Sequence, residues 1–245
     1  VLGRGSFSTL DPNADLTNVD PNSLILSTTT YGTLENVKTY VNQEPRVSAS
    51  YLFNESNSVK FGYSRNTQHL HLLSNSNSGN PTDKWIPNNN NIKPEIADQI
   101  SVGYFKNLKN NTIEINVETY YKWMQNQLDY KNSANVFLFT NAIETQLLSG
   151  IGRAYGIELL IRKNTGKLTG WIGYTLSKTE RKIEGINNNN WYNATQDKTH
   201  DLSIVGIYQV GPKINVSGTF VYSTGRATTY PVGFYTQKGL ITYDY

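Results

Sequence analysis

No cysteine occurs in the 245 residues, so neither a disulfide nor a thiolate metal site is open to this chain. Also missing is any apolar run near the roughly 18 residues that a transmembrane helix requires. Helical periodicity is absent from every stretch long enough to matter. Apolar residues make up 37% of the chain, too little Leu, Ile and Val for a soluble core of this size. The formal net charge is only +3, and Lys and Arg are dispersed, so a nucleic-acid partner is not expected. No signal peptide opens the chain, which starts on the strand-like VLGRGSFSTL and stops on ITYDY; the expectation is a fragment.

What is abundant is tyrosine, 17 residues of it, and short-period alternation. Tyrosine suits strands and membrane-interface girdles, because its ring is apolar and its hydroxyl seeks water. The clearest unit is Ala154–Lys178, two alternating arms around NTGK, which reads as a β-hairpin. Ile157, Leu159 and Ile161 share one side of the first arm, opposite Glu158 and Arg162. Leu168, Ile172, Tyr174 and Leu176 share one side of the second, opposite Thr169, Gly173, Thr175 and Ser177.

Three more pairs follow the same pattern: VKTYVNQEPRVSASYLF with SVKFGYSRNTQHLHLL, EIADQISVGYFKNL with TIEINVETYYKWMQNQLDY, and HDLSIVGIYQV with INVSGTFVYST. Their turns (NESN, KNN, GPK) are short. Polar stretches at 11–38, 74–93, 131–150, 183–197 and from Thr224 onward read as long loops, with 134–148 holding either a short helix or an extra strand. Short turns at one end and long loops at the other fit an antiparallel transmembrane β-barrel, the turns periplasmic and the loops extracellular. Glu114, Glu118, Glu158 and Arg162 then face a watery lumen, since against lipid each is costly. Two other architectures fit the alternation: a complete small eight-stranded porin-like or structural barrel, and a soluble carbohydrate-binding β-sandwich.

Candidate sites are few. His69 and His71 stand two apart and offer two metal ligands, but no third is evident, and loop packing is the preferred role. His200 lies between Asp197 and Asp201 without a nucleophile or oxyanion motif, so strand-start hydrogen bonding is expected and catalysis is not. No cofactor is indicated. Trp85 with Asp83, and Trp191 with Tyr192, sit in long loops among amides and carboxylates, a chemistry suited to a sugar, peptide or chelate; loop packing or a girdle is the plainer account. Arg153 and Arg226, near strand ends, are candidates for an anionic ligand or lipopolysaccharide phosphates. The N-x-S/T matches at Asn54, Asn110, Asn193 and Asn215 carry little weight if, as the barrel reading implies, the chain is expected in a bacterial outer membrane.

Five stretches resemble the barrel of TonB-dependent outer-membrane receptors of the Bacteroidetes type. They are LHLLSNSNSGNPTDKWIP (70–87), NIKPEIADQISVGY (91–104), GRAYGIELLIRKNTGKLTGWIGYTLSKTER (152–181), INNNNWYNATQDKTHDLSIVGIY (186–208) and YSTGRATTYPVG (222–233). They occur in collinear order, and the resemblance covers nearly the whole chain from Glu44 on. The resemblance implies about eight to nine strands of a 22-stranded barrel whose lumen holds a plug. It implies a receptor that imports a scarce or large ligand (siderophore, oligosaccharide, peptide or vitamin complex) with energy passed on by TonB. The implied partners are the TonB complex, that ligand, outer-membrane lipid and a surface lipoprotein. The chain departs from the pattern in having no plug, no TonB-contacting segment and no closing strand, so residues 1–245 are expected to be a partial barrel domain.

Overall fold

A computed structural model describes residues 2–11, 24–73, 83–132, 134, 143–228, 233–237 and 240–244. Its frame is four long hairpins: β3 (Arg46–Asn54) with β4 (Asn57–Gln68), β7 (Glu95–Leu108) with β8 (Ile113–Tyr130), β9 (Leu147–Lys163) with β10 (Leu168–Ile183), and β12 (His200–Gly211) with β13 (Ile214–Ser223). They join in one antiparallel sheet of order β3-β4-β7-β8-β9-β10-β12-β13, so each strand pairs with its neighbour along the chain. Shorter strands lie around this frame: β1 (Leu2–Leu10) with β2 (Ile25–Asn36), β5 (Leu70–Leu73) with β6 (Lys84–Pro87), β11 (Tyr192–Asn193) on the flank of β10, and β14 (Gly233–Gln237) with β15 (Leu240–Asp244).

The tight turns have local causes. The Asn54 side chain accepts a hydrogen bond from the Ser56 amide at 2.9 Å, closing the β3–β4 turn as an Asx turn. Lys109, Asn110 and Asn111 take positive φ in succession, a conformation in which Asn is enriched. In the NTGK turn Gly166 has φ 99, in the region L side chains avoid.

Register sorts the side chains. Phe61, Val102, Thr119, Ile157 and Leu176 lie opposite one another across β4, β7, β8, β9 and β10, and Ile115, Ile161, Ile172, Ile204 and Phe220 do the same lower down. Many of them are exposed: Ile157 by 44%, Ile172 by 41%, Phe220 by 56%. The other face carries Ser48, Lys60, Gln99, Glu118, Glu158, Thr175 and Ser203, and is largely polar. Arg153 and Lys163 bracket the apolar band on β9; about ten residues at about 3.3 Å, tilted about 40°, give a height of about 25 Å, that of a lipid-facing band.

A soluble sandwich would bury this apolar face against a second sheet. Here the buried cluster is instead small, Leu73, Ile92 and Leu147 with Ile86, Leu128, Tyr130 and Ile143 around them, and it sits at the long-loop end. A closed eight-stranded barrel would pair β3 with β13, and among the described residues those two edges do not pair. The sheet is an arc of a larger barrel.

Several sequence expectations need correction. Residues 11–38 were expected as a polar loop, yet Ile25–Asn36 forms β2 on β1 (12–23 lie outside the described residues). Its Thr-rich run is β-branched and polar on both sides, so it favours a strand without showing hydropathy alternation. The strand expected from Val37 begins only at Arg46, after Pro45, which has no amide to give to a ladder. The strand expected through Leu73 breaks at His69, and its end folds back as β5 on β6, inside the expected loop 74–93. Of 134–148, residues 135–142 lie outside the described residues; Ile143–Gln146 forms a 3₁₀ turn and β9 begins at Leu147. The loop beyond Thr224 contains the pair β14–β15.

The two faces should answer differently to charge. Leu159→Arg, near the middle of the apolar band, should destabilise the full-length protein in bilayers by about 2–4 kcal/mol, while Ser203→Arg on the polar face is tolerated. Denaturant unfolding of both variants in lipid vesicles checks this; equal penalties would refute the face assignment.

Candidate functional site

On the polar face, β8 and β9 bring the predicted charged residues together. Glu114 lies opposite Arg162, with a 3.6 Å ion pair, and also accepts from the Asn164 amide at 3.0 Å. Glu118 lies opposite Glu158, so two like charges face each other across the ladder. Farther toward the long loops the same face opens into a cavity of about 640 Å³. Asn66 and Gln68 of β4, Glu95 of β7, Lys122, Gln127 and Asp129 of β8, and Arg181 of β10 line its walls. Asp83, Thr195, Gln196 and Arg226 border it from the connecting segments. Amides, hydroxyls, cations and carboxylates share the lining with a few apolar side chains such as Leu72, Met124 and Leu128, a mixture suited to a polar, hydrogen-bonding ligand.

One wall of the cavity is fastened by a buried polar chain. His71, 2% exposed, donates from Nε2 to Asn88 Oδ1 at 2.6 Å, and the Asn88 amide donates to His69 Nδ1 at 2.9 Å. His71 Nδ1 faces Glu95 Oε1 at 3.4 Å, and Gln127 donates to the other Glu95 oxygen at 2.9 Å. The two imidazoles therefore converge on an amide, and the chain ties β5 and the segment after β6 to the barrel wall. Burial opposes a charge on His71, but Glu95 and then Asn88 outweigh it, and the net effect raises its pKa.

A second cluster closes the cavity's far side. Tyr192, set on β10 by β11, donates its hydroxyl to Asp129 Oδ2 at 2.8 Å, and Arg181 Nη1 lies 3.4 Å from the same oxygen. Burial, reinforced by the Asp129 charge, pushes the phenol far up, so Tyr192 acts only as a neutral donor.

The structure does not bring the loop candidates into one site. Asp83 borders the cavity, and Tyr192 reaches it through Asp129. Trp85 is 62% exposed on β6. Arg153 shares the apolar face of β9 with Ile157, and its guanidinium lies 4.1 Å above the Trp191 ring. Trp191 and Tyr192, adjacent in the chain, thus serve opposite faces. Arg226 borders the cavity. The His200 ring bonds the Tyr174 hydroxyl at 2.8 Å, while Asp197 accepts from the Thr179 amide and Asp201 pairs with Lys198. Lys122, Glu95, Gln127, Asp129 and Arg181 are not among the residues that the sequence singles out. Their signal was position: polar-face residues at the loop ends of long strands.

The His71 chain makes hairpin docking depend on pH. A raised folded pKa means the stabilisation is fully present below the unfolded value of about 6.5 and fades as pH rises past the folded one. Limited proteolysis of segment 70–88 should therefore be slower at acidic than at alkaline pH, relative to a control loop, and His71→Gln should abolish the difference. A response that persists in His71→Gln would refute the assignment.

The family described as TonB dependent receptor-like, beta-barrel, matches residues 13–244. No curated protein matches the chain significantly. An up-and-down antiparallel arc, an apolar exposed band and a polar opposite face all agree with that match. The chain belongs to the TonB-dependent receptor β-barrel family, whose members are outer-membrane receptors and transporters.

Proposed function

We propose that this chain forms part of the wall and outer vestibule of a receptor that imports a scarce or large ligand with energy transmitted by TonB. The observation that carries this reading is the cavity of about 640 Å³ on the polar face at the long-loop end. The polar face is the lumen wall, with Glu114, Glu118, Glu158 and Arg162 on the transport path. The long loops are extracellular and the turns periplasmic. The ligand enters over Asp83 and Arg226 and is held by Lys122 and by Tyr192 through Asp129. Lys122 has no side-chain partner among the described residues and offers its ammonium to an acceptor on the ligand. The volume suits a few sugar rings or a short peptide, and a lining that mixes amides, hydroxyls and charges favours such ligands. The TonB complex supplies the energy, and a surface lipoprotein covering the loops is a compatible partner.

Lacking cysteine, the chain is suited to single-cysteine mapping. On intact cells a membrane-impermeant thiol reagent should label Asn189→Cys and spare Thr165→Cys in the NTGK turn; the reverse pattern would invert the orientation. For import, a deletion strain should lose growth on one nutrient class, and Lys122→Glu in the full-length receptor should weaken binding of that nutrient about tenfold or more. A deletion that alters no uptake under any condition would end the import reading.

A further inference from the structure

The outward face holds a charged cluster that import does not use. Where the apolar band ends on β8, β9 and β10, the register aligns Tyr121, Tyr155 and Lys178, then Trp123, Arg153 and Glu180, then Gln125, Ile151 and Lys182. Glu180, 5% exposed, is the hub: Arg153 Nε donates to it at 2.8 Å and Lys178 Nζ lies 2.7 Å from its other oxygen. One carboxylate thus holds two cations in place and balances only one of them. Lys182 stands beyond them, exposed and with no side-chain partner among the described residues. Trp191 backs the Arg153 guanidinium at 4.1 Å, and Tyr121 stacks on Tyr155 at 5.8 Å. The comparable charges nearby are closed: Arg65 and Asp98 form a bidentate pair at 2.8 and 2.9 Å. At the turn end of β9, Lys163 Nζ donates to the carbonyls of Thr165 and Leu168.

We propose that Arg153, Lys178 and Lys182 form a binding site for the headgroup phosphate of an outer-leaflet glycolipid, on the external wall of the barrel. Three cations against one carboxylate leave a local positive surplus, and the guanidinium fork and ammoniums match phosphate oxygens. The site continues directly into the exposed Ile157 and Leu176, so its ligand has acyl chains below and an anion above. Aromatic rings at the level of the cations are the usual companions of a lipid headgroup boundary. A soluble anion would use the cations alone, and a protein partner would have to dock against hydrocarbon. The assignment to the outer leaflet rests on the orientation proposed above, with the long loops outside.

The test uses the full-length receptor in mild detergent, with bound lipid counted by native mass spectrometry. Phosphorylated lipid A, its enzymatically dephosphorylated form and inorganic phosphate are the probes. Phosphorylated lipid A should bind, and dephosphorylation should weaken binding about tenfold or more. Lys178→Gln with Lys182→Gln should do likewise, and Lys182→Gln alone should show a smaller loss without disturbing any contact of the fold. Lys106→Gln, at the opposite end of the outer face, should bind as the wild type does. Retention by the double variant, indifference to the lipid phosphate, or full competition by inorganic phosphate would overturn the site. Binding is read in detergent and does not depend on which end faces outward. A reversed cysteine-labelling pattern with phosphate-dependent binding intact therefore overturns the orientation, and with it the outer-leaflet assignment, but leaves the phosphate site standing.

Discussion

Backbone amides and carbonyls cannot be left bare in hydrocarbon, and the whole arc is arranged to meet that condition. From β3 to β13 each interior strand is paired on both sides, without a helix or coil interrupting the ladder. Once the ladder is fixed, side-chain direction follows from the two-residue period, and a single register decides which residues meet lipid and which meet water. The apolar face is then free to lack a packed core. Its Ile, Val, Phe and Tyr side chains are exposed on the protein alone because bilayer is their intended neighbour. The long-loop end, which lies outside that environment, is where ordinary packing resumes around Leu73, Ile92 and Leu147.

The same division places the chemistry. Polar-face residues within the span are spaced along regular strands and make few contacts, as for Glu118 and Glu158. At the loop end the strands overrun the apolar band; β5 and β6 lie against their polar side, and β11 extends the sheet at the edge of β10. Irregular structure there supplies the second wall that a cavity needs, with Asn88 and Tyr192 as its fastenings.

The sequence made the regular part legible and the irregular part obscure. Ile157, Leu159 and Ile161 against Glu158 and Arg162 is a pattern that survives without context, and four such hairpins disclosed the meander and its faces. In β2 the run STTT is polar on both sides, so alternation was invisible and only β-branching hinted at a strand. Strand β6 hides inside a long connection, four residues long and too short for a period to register, while β5 reads as the end of the arm before it. For the cavity, loop residues drew attention and the strand residues that line it did not. Asp83 and Arg226 do border the cavity, but Lys122, Asp129 and Arg181 belong to strands, and their role depends on which residue of a neighbouring strand stands beside them. Trp191 and Tyr192 show the limit clearly: adjacency in the chain says nothing about the side each one serves until β11 is docked on β10.

The sequential strand order has a consequence for assembly. Each pairing in the arc joins neighbours along the chain, so the entropy of loop closure is met in small steps and the hairpins can zip one after another. The two outer strands are different: among the described residues, β3 and β13 each have a neighbour on one side alone and present a row of unpaired hydrogen-bonding groups on the other. Such rims act as templates for whatever strand arrives first, the proper neighbour or a second copy of the chain. Insertion machinery for a wall of this kind therefore has one principal task, which is to shield two seams until the ring is complete.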